Sequence, residues 1–252
     1  MHSINSCSNF LYLLCKHIIV IGDETTKTQI LDKFQRMDDF FVRKLDIETI
    51  NKSLDLYQCT IGDVGCVVWD AALVLSKYLE VSCAKSPWLQ GRKILELGAG
   101  VGCVGIVAAC LGGDVIVTDL PEILPLLEKN ILANSQQIEG TGGKISAQTL
   151  RWGDAESIKL LPKPDIILMA DVIYYEESVE ALVSTLLLLS DKNTTLILCH
   201  EKRQSEKQKE IFDAFYKRAK EHFKFSAVPP SEQHPDYCCQ DFYLLKVNLL
   251  PI

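Results

Sequence analysis

The chain reads Lys93-Ile94-Leu95-Glu96-Leu97-Gly98-Ala99-Gly100-Val101-Gly102-Cys103-Val104-Gly105 where its pattern is most informative. An apolar run that carries one acid, Glu96, leads into a turn dense in glycine, and apolar residues follow at once. Glycine lets the backbone turn sharply and lets a ligand approach the main chain, and the helix that follows offers unpaired N–H groups. The stretch therefore predicts a strand, a tight turn and a helix around the site of a nucleotide-like cofactor.

Strands and helices are predicted to alternate after this turn. Short apolar runs predict seven strands at Ile94–Leu97, Asp114–Thr118, Lys144–Leu150, Asp165–Met169, Thr194–Cys199, Phe223–Val228 and Phe242–Val247. Between the first five of these strands, apolar residues recur at helical spacing. Strands joined by helices favour a mostly parallel sheet that is covered on both faces. Two earlier runs, Phe41–Leu45 and Leu54–Cys59, predict a short N-terminal β-hairpin. The predicted fold class is α/β and Rossmann-like with a C-terminal antiparallel hairpin, which is typical of seven-strand S-adenosylmethionine (SAM) methyltransferases.

Length and composition predict one enzyme-sized domain. The 252 residues are 48% hydrophobic, which is enough for one substantial core. We place this domain at residues 37–252, after an N-terminal extension at residues 1–36 of unknown role, and Met37 is a candidate alternative start. The apolar segment Phe10–Ile21 is shorter than the ~20 residues that span a bilayer. We therefore expect no membrane association.

Charge and cysteine content restrict the partners and the compartment. A net charge of −7 gives no general attraction to phosphate backbones, so no nucleic-acid partner is expected. The ten cysteines include no C-x-x-C pair, and Cys103, Cys110 and Cys199 each lie among apolar neighbours. This usage predicts no metal site and a reducing compartment, the cytoplasm and also the nucleus. We expect the protein to be a monomer.

Two cofactors fit the glycine turn. The segment Gly100–Gly105 satisfies the G-x-G-x-x-G fingerprint of dinucleotide-binding folds, whereas Glu96–Gly102 resembles motif I of SAM-dependent methyltransferases. Asp119, at the end of the second strand, can accept both ribose hydroxyls of either cofactor. Glu96 favours SAM, because a carboxylate before the turn would repel a pyrophosphate and attract a cationic amino group and a sulfonium. We expect SAM, with a nicotinamide dinucleotide as the alternative.

Three further motifs resemble one methyltransferase family. They are Gly65-Cys66-Val67-Val68-Trp69-Asp70-Ala71-Ala72, Leu150-Arg151-Trp152-Gly153 after the third strand, and Asp171-Val172-Ile173-Tyr174 after the fourth. Together they resemble the non-SET, methyltransferase-like protein-lysine methyltransferases over about Phe40–Leu245, and within that family the enzymes that act on valosin-containing protein, an AAA+ ATPase. The stretch His200–Arg203 also keeps the family's Glu-x-Arg.

This resemblance implies a set of cofactor contacts. It assigns SAM binding to Trp69, Gly98, Ala99, Gly100, Asp119, Trp152 and Ala170, and the predicted set also includes Glu96 and Leu120. Without the resemblance, Trp69 and Trp152 would be interpreted as ordinary core aromatics.

The resemblance also implies a reaction. The expected activity is SAM-dependent transfer of methyl groups to a lysine side chain of a protein, with an AAA+ ATPase such as valosin-containing protein as the expected partner. Asp171 is expected to hold and orient the lysine, because a nearby carboxylate stabilises the ammonium form and opposes its deprotonation. Tyr174 is expected to wall the lysine channel. The alternatives are a SAM-dependent methyltransferase with another acceptor, a noncatalytic SAM-fold binding module and an NAD-dependent oxidoreductase.

Overall fold

A computed structural model describes residues 40–59 and 64–251 of the chain. The predicted extension at residues 1–36 and the alternative start at Met37 lie outside these residues, so the domain limit at residue 37 stays a prediction. The described chain begins with a β-hairpin of β1 (Phe40–Ile47) and β2 (Lys52–Cys59), which are antiparallel. This hairpin confirms the two strands predicted before the main domain.

A seven-stranded sheet follows the hairpin. Its strands are β3 (Lys93–Leu97), β4 (Asp114–Asp119), β5 (Lys144–Thr149), β6 (Ile166–Ala170), β7 (Thr195–Glu201), β8 (Phe223–Ala227) and β9 (Phe242–Leu249). The strand order is β5-β4-β3-β6-β7-β9-β8. Strands β3 to β7 pair in parallel, whereas β9 is antiparallel to both β7 and β8. The predicted fold class is confirmed.

Seven α-helices connect these strands in the described chain. They are α1 (Asp70–Lys85), α2 (Cys103–Cys110), α3 (Leu124–Ala133), α4 (Ser135–Glu139), α5 (Ala155–Leu160), α6 (Val179–Leu189) and α7 (Glu206–Ala219). The short helices α4 and α5 were not predicted, although the N-terminus of α5 has a recognisable signal. The side chain of Asp154 accepts the backbone N–H of Ser157 at 3.3 Å, which is a normal helix cap.

The central strands pack against α6 and α7 on one face of the sheet. Alternate residues of β6, Ile167 and Met169, belong to the same buried cluster as Leu186 of α6 and Phe215 of α7. Alternation places successive strand residues on opposite faces, so Ile166 and Leu168 are buried against the opposite layer. A sheet buried on both faces holds the carboxyl ends of its parallel strands in fixed positions.

Side-chain amides from α3 and its C-cap pair with the outer edge of β2. Asn130 accepts the N–H of Tyr57 at 2.7 Å and donates to its carbonyl at 2.9 Å. Asn134 makes the same two bonds with the backbone of Asp55, both at 2.9 Å. Residues four apart share a helix face and residues two apart share a strand edge, so the spacings match. Asn130 also donates to the Val101 carbonyl at 3.0 Å, which ties the hairpin to the glycine turn.

A buried ion pair fastens the hairpin's turn to α1. Lys77 Nζ lies 2.8 Å from Glu80 Oε2, and the two side chains are 4% and 3% exposed. Lys77 also donates to the carbonyl of Asp46 at 2.7 Å, and Glu80 accepts the N–H of Thr49 at 3.0 Å. Each charge is therefore paired and hydrogen-bonded, and removing one partner would cost about 3–5 kcal/mol by leaving the other uncompensated.

Candidate functional site

A cavity of about 680 Å³ opens at the carboxyl ends of β3, β4 and β6. Ligands of open α/β sheets bind outside these strand ends. The cavity is lined by every residue that the sequence predicted for the site, namely Trp69, Glu96, Gly98, Ala99, Gly100, Asp119, Leu120, Trp152, Ala170, Asp171 and Tyr174. The structure thus brings the predicted set together, while the contact that each residue makes with a ligand stays a prediction.

Two glycines of the turn have backbone conformations that other residues rarely adopt. Gly98 has a φ of +64° and Gly100 a φ of +55°. A Cβ at Gly98 would lie 2.9 Å from Cγ1 of Val172, and one at Gly100 would lie 2.9 Å from the carbonyl oxygen of Gly65. Both positions need glycine for the left-handed backbone and for the close approach. The turn therefore carries no side-chain atoms at these two positions, where it borders the cavity.

Asp119 ends β4 at the wall of the cavity. Its Oδ2 accepts the N–H of Gly100 at 2.7 Å, and its Oδ1 accepts the N–H of Leu120 at 2.7 Å. The two backbone donors fix the carboxylate beside the glycine turn. This is the position of the ribose-binding acid in nucleotide-binding α/β folds.

Glu96 places its own carboxyl group at the start of α2. The residue is 2% exposed, and its Oε2 accepts the N–H of Gly105 at 2.8 Å. Gly105 permits the approach, because a Cβ there would lie 2.5 Å from the same oxygen. Dinucleotide-binding folds hold the pyrophosphate at this helix N-terminus. The Glu96 carboxyl already accepts an N–H of the first turn of this helix, which argues against a dinucleotide.

The protonation state of Glu96 differs from the one that the sequence argument assumed. Burial is the main reason that the pKa of its carboxyl group is raised to about 8. The charge of Asp119 raises the pKa further, whereas the hydrogen bond from Gly105 lowers it. The group is therefore mostly neutral at pH 7, whereas the sequence argument assumed a charged carboxylate. A cation in the cavity would favour the ionised form.

Two tryptophans border the cavity on different sides. Trp69 is 40% exposed and donates from Nε1 to the carbonyl of Val64 at 2.8 Å. Trp152 is half-buried and packs against the core cluster behind β6. The interpretation as an ordinary core aromatic is therefore wrong for Trp69, and Trp152 combines packing with a cavity-lining position.

Asp171 follows β6 in a conformation that is uncommon for a residue other than glycine, with a φ of +57°. Its side chain is 3% exposed, its Oδ2 pairs with the guanidinium of Arg203, and its Oδ1 accepts the N–H of Glu201 at 3.3 Å. His200 Nδ1 lies 3.1 Å from Oδ1 without the geometry of a hydrogen bond. The carboxylate that was expected to hold a lysine is therefore already paired within the protein.

Arg203 lines the cavity but was not among the site residues predicted from the sequence. Its guanidinium pairs with Asp171, lies 2.8 Å from Glu201 Oε2, and has its central carbon 5.3 Å from the ring centre of Trp69. The available signal was the Glu-x-Arg at the end of β7. Because β7 neighbours β6 in the sheet, its carboxyl end meets the same edge as Asp171.

Aromatic side chains border the β6 end of the cavity. The rings of Tyr174 and Tyr175 lie 4.5 Å apart, and Gln208 donates to the Tyr174 carbonyl at 3.2 Å. Cys103 also lines the cavity, and burial raises the pKa of its thiol to about 12. The thiol is therefore protonated at neutral pH and contributes volume rather than a nucleophile. The cavity joins hydrogen-bond acceptors at the β3–β4 end to aromatic and charged groups at the β6–β7 end.

The described residues contain neither a metal-binding cluster nor a membrane-spanning helix. Across residues 40–59 and 64–251, no three His, Cys, Asp or Glu side chains are grouped so that they could hold a metal ion. In the same part of the chain, every helix is too short or too polar to cross a membrane.

Relatives of known name match much of the chain. A family model described as lysine methyltransferase matches residues 48–218. Protein N-lysine methyltransferase METTL21A of Danio rerio is 42% identical over 137 residues, which are 54% of this chain and 60% of that protein. EEF1A lysine methyltransferase 3 of Mus musculus is 37% identical over 169 residues, which are 67% of this chain and 68% of that protein. The match to the Danio rerio protein thus spans about three fifths of its length.

Two solved structures share the fold at low sequence identity. A TehB-like SAM-dependent methyltransferase from Corynebacterium glutamicum has a TM-score of 0.50 at 16% identity and covers 69% of this chain and 88% of its own. The 16S rRNA N2 G1207 methyltransferase RsmC of T. thermophilus, solved with AdoMet and guanosine, has a TM-score of 0.52 at 16% identity, covering 83% of this chain and 50% of its own. At such identity the likeness concerns the fold alone.

Proposed function

The chain belongs to the lysine methyltransferase family whose model matches residues 48–218, and on that premise we propose that it is a SAM-dependent protein-lysine N-methyltransferase. One observation carries the proposal. A single cavity joins the glycine turn and Asp119 to the segment that holds Asp171 and Tyr174. A donor site and an acceptor site for one transferred group can therefore lie next to each other, as an in-line displacement requires.

The residues at the β3–β4 end fit SAM. The thin turn at Gly98 and Gly100 leaves room beside the main chain, and Asp119 is held where it can accept the ribose hydroxyls. SAM carries no phosphate, so the Glu96 carboxyl at the start of α2 does not obstruct it, and this group can accept a cationic amino end. Trp69, Ala99, Leu120, Trp152 and Ala170 complete the predicted contacts.

The acceptor end must present a neutral amine. When bound, SAM supplies a methyl group on a positively charged sulfur that leaves as a neutral thioether, so the nucleophile needs alignment more than acid or base assistance. A lysine of ordinary pKa near 10.4 costs roughly 4.6 kcal/mol to deprotonate at pH 7. Aromatic walls from Tyr174 and Tyr175 desolvate the amine and lower that cost. Tyr174 forms a wall of the channel that the lysine side chain enters. Asp171 holds and orients the lysine at the inner end of this channel.

A variant pair tests the assignment of the two ends. Asp119→Ala removes the predicted ribose acceptor, so it should weaken SAM binding more than tenfold in calorimetry. Asp171→Ala should leave SAM binding within about threefold and abolish methyl transfer, because it alters only the acceptor end. Each variant is the control for the other. Equal losses of SAM binding in both would contradict the separation into a donor end and an acceptor end.

We propose an AAA+ ATPase resembling valosin-containing protein as the substrate. The support is the resemblance at the motifs that contain Trp69, Trp152 and Asp171. A second candidate follows from the Mus musculus relative, whose name assigns it to EEF1A. The test incubates the protein with labelled SAM and either purified valosin-containing protein or purified EEF1A, and then maps the labelled residue by mass spectrometry. Label on lysine of the ATPase is expected, and label on EEF1A alone would transfer the proposal to that substrate.

Thermal unfolding separates the alternative cofactor classes. SAM and its demethylated product should raise the melting temperature, and NAD should leave it unchanged. Stabilisation by NAD alone would support the oxidoreductase alternative. We also propose that the protein is a monomer. We further propose that it acts in the cytoplasm and nucleus, because its buried thiols Cys103, Cys110 and Cys199 suit a reducing compartment.

A further inference from the structure

Arg203 joins the two ends of the cavity. On one side its guanidinium pairs with Asp171 and Glu201, and on the other it lies over the ring of Trp69. The arginine side chain is 28% exposed, whereas that of Asp171 is 3% exposed. The pair thus consists of a buried carboxylate and a cation that reaches the cavity wall.

A lone carboxylate at Asp171 would work against methyl transfer. A negative charge within ~4–6 Å of an amine stabilises the ammonium form, and only the neutral amine has the lone pair that attacks a methyl carbon. The same side chain that attracts a lysine would therefore keep it protonated. The ion pair with Arg203 removes this conflict, because the carboxylate's charge is compensated before the substrate arrives.

We propose that Arg203 is a positioning residue that neutralises Asp171 at the acceptor end of the cavity, so that the site receives the target lysine as a neutral amine. The inference rests on the proposed lysine methyltransferase function. Arg203 is also suited to the task by shape, because a planar guanidinium can bind two carboxylates and stack on an indole at once, which an ammonium cannot.

The proton and electron balance of the step is simple. The target ammonium gives its proton to solvent water as it enters the channel. The nitrogen lone pair then forms the bond to the methyl carbon, the carbon–sulfur bond breaks, and its electrons stay on sulfur as a neutral thioether. The positive charge moves from sulfur to the methylated nitrogen, and no protein group needs to hold the proton.

Several other charged or titratable groups face the same cavity. Glu96 and Asp119 lie at the β3–β4 end, and Arg151 follows β5. Around the β6–β7 end the groups are Tyr174, Tyr175, Glu177, Asp171 and Arg203. His200 lies beside Asp171, and Glu201 contacts Asp171 through its backbone N–H and Arg203 through its carboxylate. Arg203 also pairs with Glu201, but that carboxylate is 34% exposed and does not line the cavity, whereas Asp171 is 3% exposed and does. Solvent screens the charge of Glu201, so a change at Arg203 should act on the amine mainly through Asp171.

Single-turnover kinetics against pH test this role. The rate constant for methyl transfer is measured from pH 6.5 to 10 at saturating SAM. The acceptor is the unmethylated form of the protein that the wild-type enzyme methylates. Arg203→Met leaves the Asp171 charge uncompensated, so the acid limb of the profile should move up by about one pH unit, with an about tenfold loss of rate at pH 7 that recovers at high pH. Arg218→Met is the control, since Arg218 pairs with Glu180 and Glu221 on the surface.

Two further variants make the test independent of one substitution. Asp171→Asn keeps a hydrogen-bond acceptor for Arg203 but removes the negative charge, so the acid limb of the pH profile should stay at or below its wild-type pH. Turnover should persist in this variant, whereas Asp171→Ala should lose it. The double variant Asp171→Asn/Arg203→Met should return the limb toward the wild-type position. Calorimetric SAM affinity is measured for every variant as a check of folding and of the Trp69 contact.

The outcomes distinguish this inference from the function on which it rests. A wild-type protein that binds SAM but methylates no lysine would refute the proposed function. A wild-type protein that methylates lysine, with a uniform loss of rate in Arg203→Met and an unmoved acid limb, would refute only the role of Arg203. Loss of turnover in Asp171→Asn at every pH would also refute it, because the carboxylate charge itself would then be required.

Discussion

Glu96 and Gly105 form a hydrogen bond of 2.8 Å between a buried carboxyl oxygen and a backbone N–H in the first turn of α2. The bond places an acid of raised pKa at the helix end where related α/β folds bind phosphate. This single contact distinguishes the SAM interpretation from the dinucleotide interpretation of the same glycines, and it makes stability and cofactor binding depend on pH.

Stability should fall as pH rises because of Glu96. The folded protein keeps the Glu96 proton up to about pH 8, whereas the unfolded chain loses it near the ordinary value of 4.5. Between these values the folded state binds more protons, so the free energy of unfolding falls by up to ~1.4 kcal/mol per pH unit. Urea unfolding at pH 5, 6.5 and 8 should show this slope relative to Glu96→Gln. The exposed Glu139→Gln serves as the control, and identical slopes in all three proteins would contradict the assignment.

SAM binding should release protons from Glu96. A cationic ligand near the carboxyl lowers its pKa, so a group that is mostly protonated at pH 7 ionises on binding. Calorimetry at pH 7 in two buffers of different ionisation enthalpy should detect the release of a fraction of a proton. Glu96→Gln should lack that fraction. Equal proton release by both proteins would place the cationic end of SAM away from Glu96.

Gly100→Ala should reduce SAM affinity by more than tenfold. The new Cβ would lie 2.9 Å from the Gly65 carbonyl and would displace the segment that borders the cavity. Gly142→Ala is a matched control, since Gly142 also has a positive φ, +77°, but nothing lies within 4 Å of its added Cβ. Both variants bear a left-handed strain of about 1 kcal/mol. Only Gly100→Ala should lose the thermal shift with SAM, and a similar loss in both would attribute the effect to strain.

Asn130→Ala should destabilise the protein by about 2–3 kcal/mol in urea unfolding. The substitution leaves the Tyr57 N–H and the Tyr57 and Val101 carbonyls without their side-chain partner. Gln136→Ala, at an exposed position of the neighbouring helix, should change stability by less than 0.5 kcal/mol. Equal effects would show that the amide pairing with β2 contributes little.

The positions of most strands and helices followed from the local pattern, and the features that did not follow from it have physical reasons. The parallel strands are continuous apolar runs, so their buried character is visible in the chain. The helix at Ala155–Leu160 has only six residues and one buried side chain, so it offers too little periodicity, and its cap at Asp154 was the one available signal. The amide pairing of Asn130 with β2 joins residues 73 apart and has no local signature.

The sequence by itself determined the order of strands and helices, the glycine turn and the acids at the strand ends, because each depends on residue spacing or on a single backbone conformation. Only the tertiary structure decided the state of those acids. Glu96 lies at the start of α2 with a raised pKa, and Asp171 is paired with Arg203, 32 residues further along the chain. Burial and partner choice depend on which strand ends are neighbours in the folded sheet, and that information is not local in the chain.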